Sequence, residues 1–375
     1  MKFTVSSADL LKALTTAGGA VPSKSTLPIL ESVLFERDGD HLRLTATDLE
    51  IWMVQRLPVT FDDRDAGDNR VAIPVKRLLD TLRALPDVPV RLTADGEFNV
   101  SLQTDKGLYK MVGHDGADYP ATPELTGDRT FEADGSLLRR AIHLTSFAVS
   151  RDSLRPAMMG IYFQVDENEG RAVATDGHRL VKLQMGQLRS RQPLRFIVPE
   201  KALTLASRVA SDDPCTVEVD NAHVSFDFGA SRVLARMIDE TYPNYEAVIP
   251  VDNDRRMVVG RDAMLAAAKR VGLYSSSMTN QIRLNIQATQ VEISAEDIER
   301  SSEAREVVNC EYRGEDMVIG FNSVYLNEVL SHIESEEVVF EFSSPNRAGV
   351  VTPQEQREDE DLLMLIMPVM LNTYA

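Results

Sequence analysis

The sequence predicts an α+β protein built from three tandem copies of one unit, each with two helices packed on antiparallel sheet. Three observations carry that prediction. A helix-opening segment occurs three times. MKFTVSSADLLKAL is followed by TFEADGSLLRRAI, where Phe131 and Leu138 fall 128 residues after Phe3 and Leu10, and by MVVGRDAMLAAA, where Met264 follows Leu138 by 126. A second landmark follows about seventy residues into each copy: VAIPVKRLLDTLRAL, FIVPEKALTLASRVA and VIGFNSVYLNEVLSHI. Between the landmarks lie LTATDLE, AVATDGH and ISAEDIE, in the same order each time, which is the signature of a repeated structural unit.

Within each copy the pattern reads strand, helix, several strands, helix, several strands. The first helices are expected over 8–19, 136–149 and 261–271, where apolar residues fall three and four apart (Leu10, Leu11, Leu14; Leu138, Ala141, Ile142; Met264, Leu265, Ala268). The second helices are expected over 74–85, 199–210 and 322–333, and Leu78, Leu79, Leu82 and Leu85 form the clearest stripe. HLRLTA, EFNVSLQT, TVEVD and VVFEF alternate apolar and polar, as half-buried antiparallel strands do. Copies one and two close on DYP and TYPNY. Boundaries are placed just after these, giving domains 1–127, 128–252 and 253–375, with GDRT and VDNDRR as linkers.

At 375 residues, 43% hydrophobic and 26% charged, the chain has the size and balance of a multidomain globular protein. MKFTVSSADLL has no apolar run of signal-peptide length. LLMLIMPVML at 362–371 is about half a membrane span and contains Pro368. A cytoplasmic location is expected, with no membrane partner. Cys215 and Cys310 lie in strand-like runs and read as reduced core residues. No Cys/His spacing resembles a zinc site, and no metal or cofactor is expected.

The formal charge is −18, which taken alone argues against binding nucleic acid. The charge is sorted, however. The six predicted helices carry 0, +2, +2, +1, +2 and −1 in chain order, a net +6, which leaves −24 elsewhere. Among the helix cations are Lys76, Arg77 and Arg83, then Arg139 and Arg140, then Lys201 and Arg208. Lys76, Asp80 and Arg83 lie opposite the leucine stripe, and Lys201 and Arg208 repeat that face seven apart. Helices gathered on one side would make it positive and suited to a phosphate backbone. No aromatic platform or base-reading helix accompanies them, so duplex would be bound without sequence preference. The last helix breaks the pattern with Glu328 and no Lys or Arg.

ATDGHRL at 174–180 looks like chemistry. Asp176, His178 and Arg179 would suit a phosphohydrolase, as an acid–base pair or metal ligands beside a phosphate-binding arginine. Yet TATDLE at 45–50 repeats Ala-Thr-Asp without the His and Arg, and Asp before Gly signals a hairpin turn. Asp176 is therefore read as a turn residue. A peptide-binding scaffold without nucleic acid is the third reading.

Taken in order, MKFTV, STLPIL (25–30), TATDLE, ATDGHRL, YPNY (242–245) and LIMPVML (365–371) resemble the bacterial sliding-clamp family, the beta subunits of DNA polymerase III, over essentially the whole chain. The resemblance implies three DNA-clamp domains per subunit and two subunits joined head to tail in a homodimeric ring of six similar domains. Such a ring encloses double-stranded DNA and tethers the replicative polymerase without doing chemistry. It implies a peptide pocket between the second and third domains, bordered by Met158, Thr175, Gly177, His178, Arg179, Leu180, Pro243, Val248, Met367, Pro368, Val369 and Met370. The partners implied are the replicative polymerase alpha subunit, the clamp loader, translesion polymerases, ligase and mismatch-repair proteins. Each inserts a short peptide with glutamine, leucine and an aromatic-ended hydrophobic pair.

Lys24, Arg151 and Arg155 match loops that touch DNA in the family, although Pro156 and Ala157 replace its usual tyrosines. Met158 and Ala247 stand where the family often has leucine and arginine, and NTYA at 372–375 extends past the usual end. The subunit contact would pair the edge around Lys106, Lys110 and Met111 with the edge around Glu303 and Glu306. Leu273 matches a further apolar interface position. Such a ring works with the nucleoid in the cytoplasm.

Overall fold

The computed structural model describes residues 1–62 and 70–371. Copy one begins with β1 (Lys2–Ser6), α1 (Ser7–Ala17), β2 (Ser32–Asp38), β3 (His41–Thr47) and β4 (Ile51–Pro58). It continues with β5 (Thr60–Phe61), β6 (Arg70–Pro74), α2 (Val75–Ala84), β7 (Pro89–Ala94), β8 (Asn99–Gln103), β9 (Leu108–Val112) and β10 (His114–Asp115). Copy two begins with β11 (Thr130–Asp134), α3 (Gly135–Thr145), β12 (Gly160–Val165), β13 (Gly170–Thr175) and β14 (Arg179–Met185). It ends with β15 (Leu194–Pro199), α4 (Glu200–Val209), β16 (Pro214–Val219), β17 (His223–Asp227) and β18 (Ser231–Arg236). Copy three opens with β19 (Arg255–Gly260), α5 (Arg261–Gly272), β20 (Gln281–Gln287), β21 (Gln290–Asp297) and β22 (Ser302–Arg313). It closes with β23 (Met317–Asn322), α6 (Ser323–Ser331), β24 (Glu337–Phe342), β25 (Gly349–Pro353) and β26 (Glu360–Ile366). All six expected helices are present, in the expected order.

The helices form because each has one apolar face and a defined start. Ser6 caps α1 by accepting from the Ala8 and Asp9 N–H groups, and Asn322 caps α6 through Val324 and Tyr325. α1 buries Leu10, Ala13, Leu14 and Ala17, and α2 buries Val75, Leu78 and Leu82. Each leucine so removed from water contributes about 1.5–3 kcal/mol. The punctuation tyrosines are buried too. The Tyr119 hydroxyl donates to the Ser32 carbonyl at 3.1 Å, and the Tyr242 hydroxyl to the Val173 carbonyl at 3.4 Å. Cys215 and Cys310 are free and buried, and burial pushes the Cys215 thiol up to about 12.

The chain forms two compact units, Met1–Arg139 with Lys201–Met237, and Arg140–Glu200 with Ile238–Ala375. The first unit holds a five-stranded sheet, β5-β1-β7-β8-β9, and a nine-stranded sheet, β10-β6-β2-β3-β4-β18-β17-β16-β11. The second holds a twelve-stranded sheet, β15-β12-β13-β14-β26-β25-β24-β19-β22-β21-β20-β23. Among the described residues every strand pairing is antiparallel.

One rule recurs in both units. The strand after the Ala-Thr-Asp turn pairs with the last long strand of the following copy. β4 pairs with β18, setting Trp52 opposite Leu234, and β14 pairs with β26, setting Leu180 opposite Leu365. The corresponding strand of copy three is β22, and the corresponding last strand of copy one is β9. Among the described residues, β22 pairs only with β21 over residues 302–309, and β9 pairs only with β8. Each keeps an open edge.

Candidate functional site

The ATDGHRL segment is a hairpin turn between β13 and β14. The Asp176 Oδ1 accepts from the His178 N–H at 2.8 Å and the Arg179 N–H at 3.0 Å. The Thr175 hydroxyl donates to the Arg179 carbonyl at 2.7 Å, and Gly177 takes φ +88°. Copy one builds the same turn, with Asp48 Oδ1 accepting from the Glu50 and Ile51 N–H groups and Leu49 at φ 78°. A carboxylate engaged by its own turn is scaffold in both copies.

Arg179 is buried, with 7% of its surface exposed. Its Nε donates to Asp176 Oδ2 at 3.2 Å, one terminal nitrogen donates to Glu328 on α6, and the other to the Phe147 carbonyl at 2.6 Å. The Tyr325 and Phe147 rings cover its faces at 4.6 and 5.2 Å. A guanidinium so enclosed is not available to a phosphate. His178 is exposed and stacks on Tyr325 with centroids 5.9 Å apart. The three residues thus do not converge on a reaction centre, and the phosphohydrolase reading finds no support. Among the described residues no three His, Cys, Asp or Glu side chains gather as metal ligands.

Beside this hairpin lies a largely apolar cavity of about 620 Å³. Thr175, Gly177, Arg179 and Leu180 line one side, and Met158 joins them from the turn before β12. The opposite side is the stretch from Pro243 through Val248 to Asp252, with Asn346, Arg347 and Ala348, and Leu365 and Met367 at the end of β26. Leu180, Tyr245, Ala348 and Leu365 of this lining belong to a packed cluster that also holds Val173, Ile197 and Tyr242. Burial raises the Tyr242 hydroxyl above its ordinary 10.0, so it remains a neutral donor. An apolar cleft with a few polar groups at its rim accepts apolar side chains and orients a short chain.

Eight of the twelve expected pocket residues line this cavity, and four do not. His178 turns to Tyr325 instead, although its carbonyl accepts from the Met367 N–H at 2.8 Å. Pro368, Val369 and Met370 run past the cavity, because Val369 is bridged to Gly320 on β23 and Met370 is left exposed. Of Met367–Met370, Met367 lines the cavity together with residues of the Pro243–Asp252 stretch. NTYA lies outside the described residues. Sequence reasoning missed Ala348, Arg347 and Asn346, which carry no periodic signal, and Tyr245, which the YPNY repetition offered.

The expected DNA contacts divide. Lys24, Arg151 and Arg208 are exposed and make no ion pair among the described residues. Arg83 pairs with Asp80 at 3.1 Å, Arg139 with Asp212 at 3.1 Å, and Lys201 with Asp48. Arg155 donates to Asp152 at 2.9 Å and to the Asp176 carbonyl at 3.0 Å, fastening the turn. The expectation for Arg140 is corrected. Its guanidinium is mostly covered, bound to Glu360 at 2.7 Å and Glu334 at 3.0 Å, and is engaged inside the fold.

Lys76 and Arg77 are likewise exposed and make no ion pair among the described residues. They line a groove with Asp80, Tyr109, Met111 and Val112, beside the open edge of β9. On that edge Lys106 and Lys110 are exposed, while Met111 points into the core at 8% exposure. The exposed apolar residues are Leu108, Tyr109 and Val112, which sequence reasoning passed over. At the other edge Glu303 is exposed, Leu273 is 81% exposed, and Glu306 pairs with Arg270, which holds its carboxyl below the ordinary value. Val307, Tyr274 and Met278 add exposed apolar surface that the sequence pattern does not signal.

Comparison with known proteins agrees with this architecture along the chain. Family models of the DNA polymerase III beta subunit match residues 1–123 as its N-terminal domain, 132–244 as its central domain and 246–370 as its C-terminal domain. The beta sliding clamp of Pseudomonas aeruginosa is 31% identical, covering 99% of this chain and all of that one. The Escherichia coli beta sliding clamp is 28% identical over 90% of this chain and 92% of its own. A crystal structure of a P. aeruginosa sliding clamp bound to griselimycin superimposes with a TM-score of 0.92 at 31% identity, covering 99% of this chain and 100% of that one. The chain belongs to the DNA polymerase III beta subunit family, the DNA sliding clamps of that polymerase.

Proposed function

We propose that the chain acts as a homodimeric ring around duplex DNA, does no chemistry itself, and holds its partners by short peptides seated in the Leu180 cavity. Family membership supports the coarser part, a clamp that works with DNA, its polymerase and a second copy of itself. The observation that carries the finer reading is the strand-pairing rule. Joining β22 of one copy to β9 of another would extend the β4–β18 and β14–β26 pattern, and two such contacts would close a dimer. The β22 edge brings Glu303, Val307 and the nearby Leu273, and the β9 edge brings Lys110, Leu108 and Tyr109. Exposed Lys106 and Lys110 at the β9 edge discourage that edge from pairing with itself.

The domains of this reading are 1–127, 128–252 and 253–375. Exposed Lys24, Lys76, Arg77, Arg151 and Arg208 serve as phosphate contacts, and the ion-paired helix cations add a weaker positive field. The cavity takes the polymerase alpha subunit, clamp loader, translesion polymerases, ligase and mismatch-repair proteins in turn, at the nucleoid. Retention on a nicked circular plasmid, followed by loss when the plasmid is linearised, tests the enclosure. Equal retention on linear DNA would refute it.

A further inference from the structure

We infer that Glu328 on α6 is a positioning residue for the peptide cavity, acting through Arg179 on the β13–β14 hairpin. This rests on the reading of that cavity as a peptide site.

Arg179 contributes to the cavity wall while its guanidinium is held among three acceptors and two rings. Of the three acceptors, the Phe147 carbonyl is neutral. Asp176 has only one oxygen to offer, because its other oxygen already accepts two backbone N–H groups of the turn. Glu328 supplies the remaining full charge. It is also the single charged residue of α6, SVYLNEVLS. The departure of this helix from the basic pattern therefore has a local cause. An acidic residue is required where a buried guanidinium arrives from the neighbouring hairpin.

The link to the cavity is short. The Arg179 carbonyl accepts from the Thr175 hydroxyl, and the next carbonyl back, His178, accepts from the Met367 N–H. Thr175 and Met367 both line the cavity. With Glu328 neutralised, the guanidinium keeps one carboxylate oxygen and one carbonyl, and the lowest-energy place for its charge shifts toward water. The hairpin loosens at its tip, and the wall is no longer preformed for the peptide.

The test uses the full-length chain and a labelled peptide carrying glutamine, leucine and an aromatic-ended hydrophobic pair. Glu328→Gln keeps the shape and removes the charge, and should weaken the peptide roughly tenfold. Arg179→Lys keeps the charge but not the fork, and should do the same. The double variant should be no weaker than either single by more than about twofold, since both break one unit. A purely structural role would lower the melting temperature and leave affinity below it unmoved. Should Glu328→Gln fail to fold, Glu328→Asp, which retains charge at shorter reach, should give an intermediate loss. Met367→Asp is the control for the cavity. If it abolishes binding while the Glu328 variants bind within about twofold of the parent, the inference is overturned and the peptide site stands. If Met367→Asp binds like the parent, both fall.

Discussion

Trp52 and Leu180 hold the same place in consecutive copies, each four residues past the turn aspartate and each opposite a leucine of the next copy's last strand. Trp52 is 6% exposed, and its indole meets His223 edge-on at 6.1 Å. Leu180 is as well buried but smaller, and it lines an open cavity. The two junctions thus differ in side-chain volume at this position, tryptophan in the first and leucine beside the cavity in the second.

Leu180→Trp should therefore fill the cavity. The fold already accommodates tryptophan at the equivalent site, so the stability cost should stay within the roughly 1–3 kcal/mol of an overpacked core. Peptide affinity should fall by more than about 2 kcal/mol, because the anchor pocket is filled. Calorimetric titration checks it. Parent-like affinity in a folded Leu180→Trp chain would move the docking site elsewhere.

Assembly should depend on the open edges. Leu108→Ala combined with Leu273→Ala removes exposed apolar surface from one edge of each kind, and the dimer should give way to monomer. Light scattering should then report about 41.7 kDa, where the parent should report twice that mass. Peptide binding should persist, since neither residue lines the cavity. A double variant that keeps the dimer mass would show that other surfaces join the subunits.

The repeat, the six helices and the turn role of Asp176 were legible in the sequence because each has a local cause: apolar spacing, a cap, an aspartate before glycine. What was not legible came from partners distant along the chain. Arg140 reads as a free helix cation until Glu334 and Glu360 are folded against it. Met111 reads as part of the subunit-contact edge, yet it is the one buried residue of β9, with Leu108 and Val112 outside. Pro368–Met370 read as pocket wall, and the bridge from Val369 to Gly320 on β23 had no signal in the sequence.

Arg140→Ala should act on stability rather than on DNA. It strands Glu360, which is nearly covered, while Glu334 remains half in water, so the expected loss is about 2–3 kcal/mol. Burial alone would raise the Glu334 carboxyl, but Arg140 and Arg357 outweigh it and hold the group below its ordinary 4.5. A lowered folded value means the contribution is fully present above pH 4.5 and is lost as pH falls through that lower value. Melting curves should show the parent losing stability over this acid range, with a smaller loss in Arg140→Ala. An equal acid loss in both would assign it to other carboxylates.

The phosphate contacts should include Lys24, Arg151 and Arg208, whose charge no carboxylate among the described residues offsets. Reversing these three to Glu together should weaken binding to duplex, because every phosphate left unneutralised takes back its condensed counterions. The slope of log affinity against log salt should flatten by about 1 for each phosphate that the variant no longer engages. Sequence preference should remain absent in parent and variant alike, since no base-reading element accompanies these residues. Reversing the ion-paired Arg83, Arg139 and Lys201 instead should flatten the slope less, because Asp80, Asp212 and Asp48 already cancel much of their charge. Fluorescence anisotropy across a salt series, on two duplexes of unrelated sequence, measures both quantities at once. A steeper drop in affinity from the paired set than from the unpaired set would reverse the assignment and place the backbone contacts on the helices.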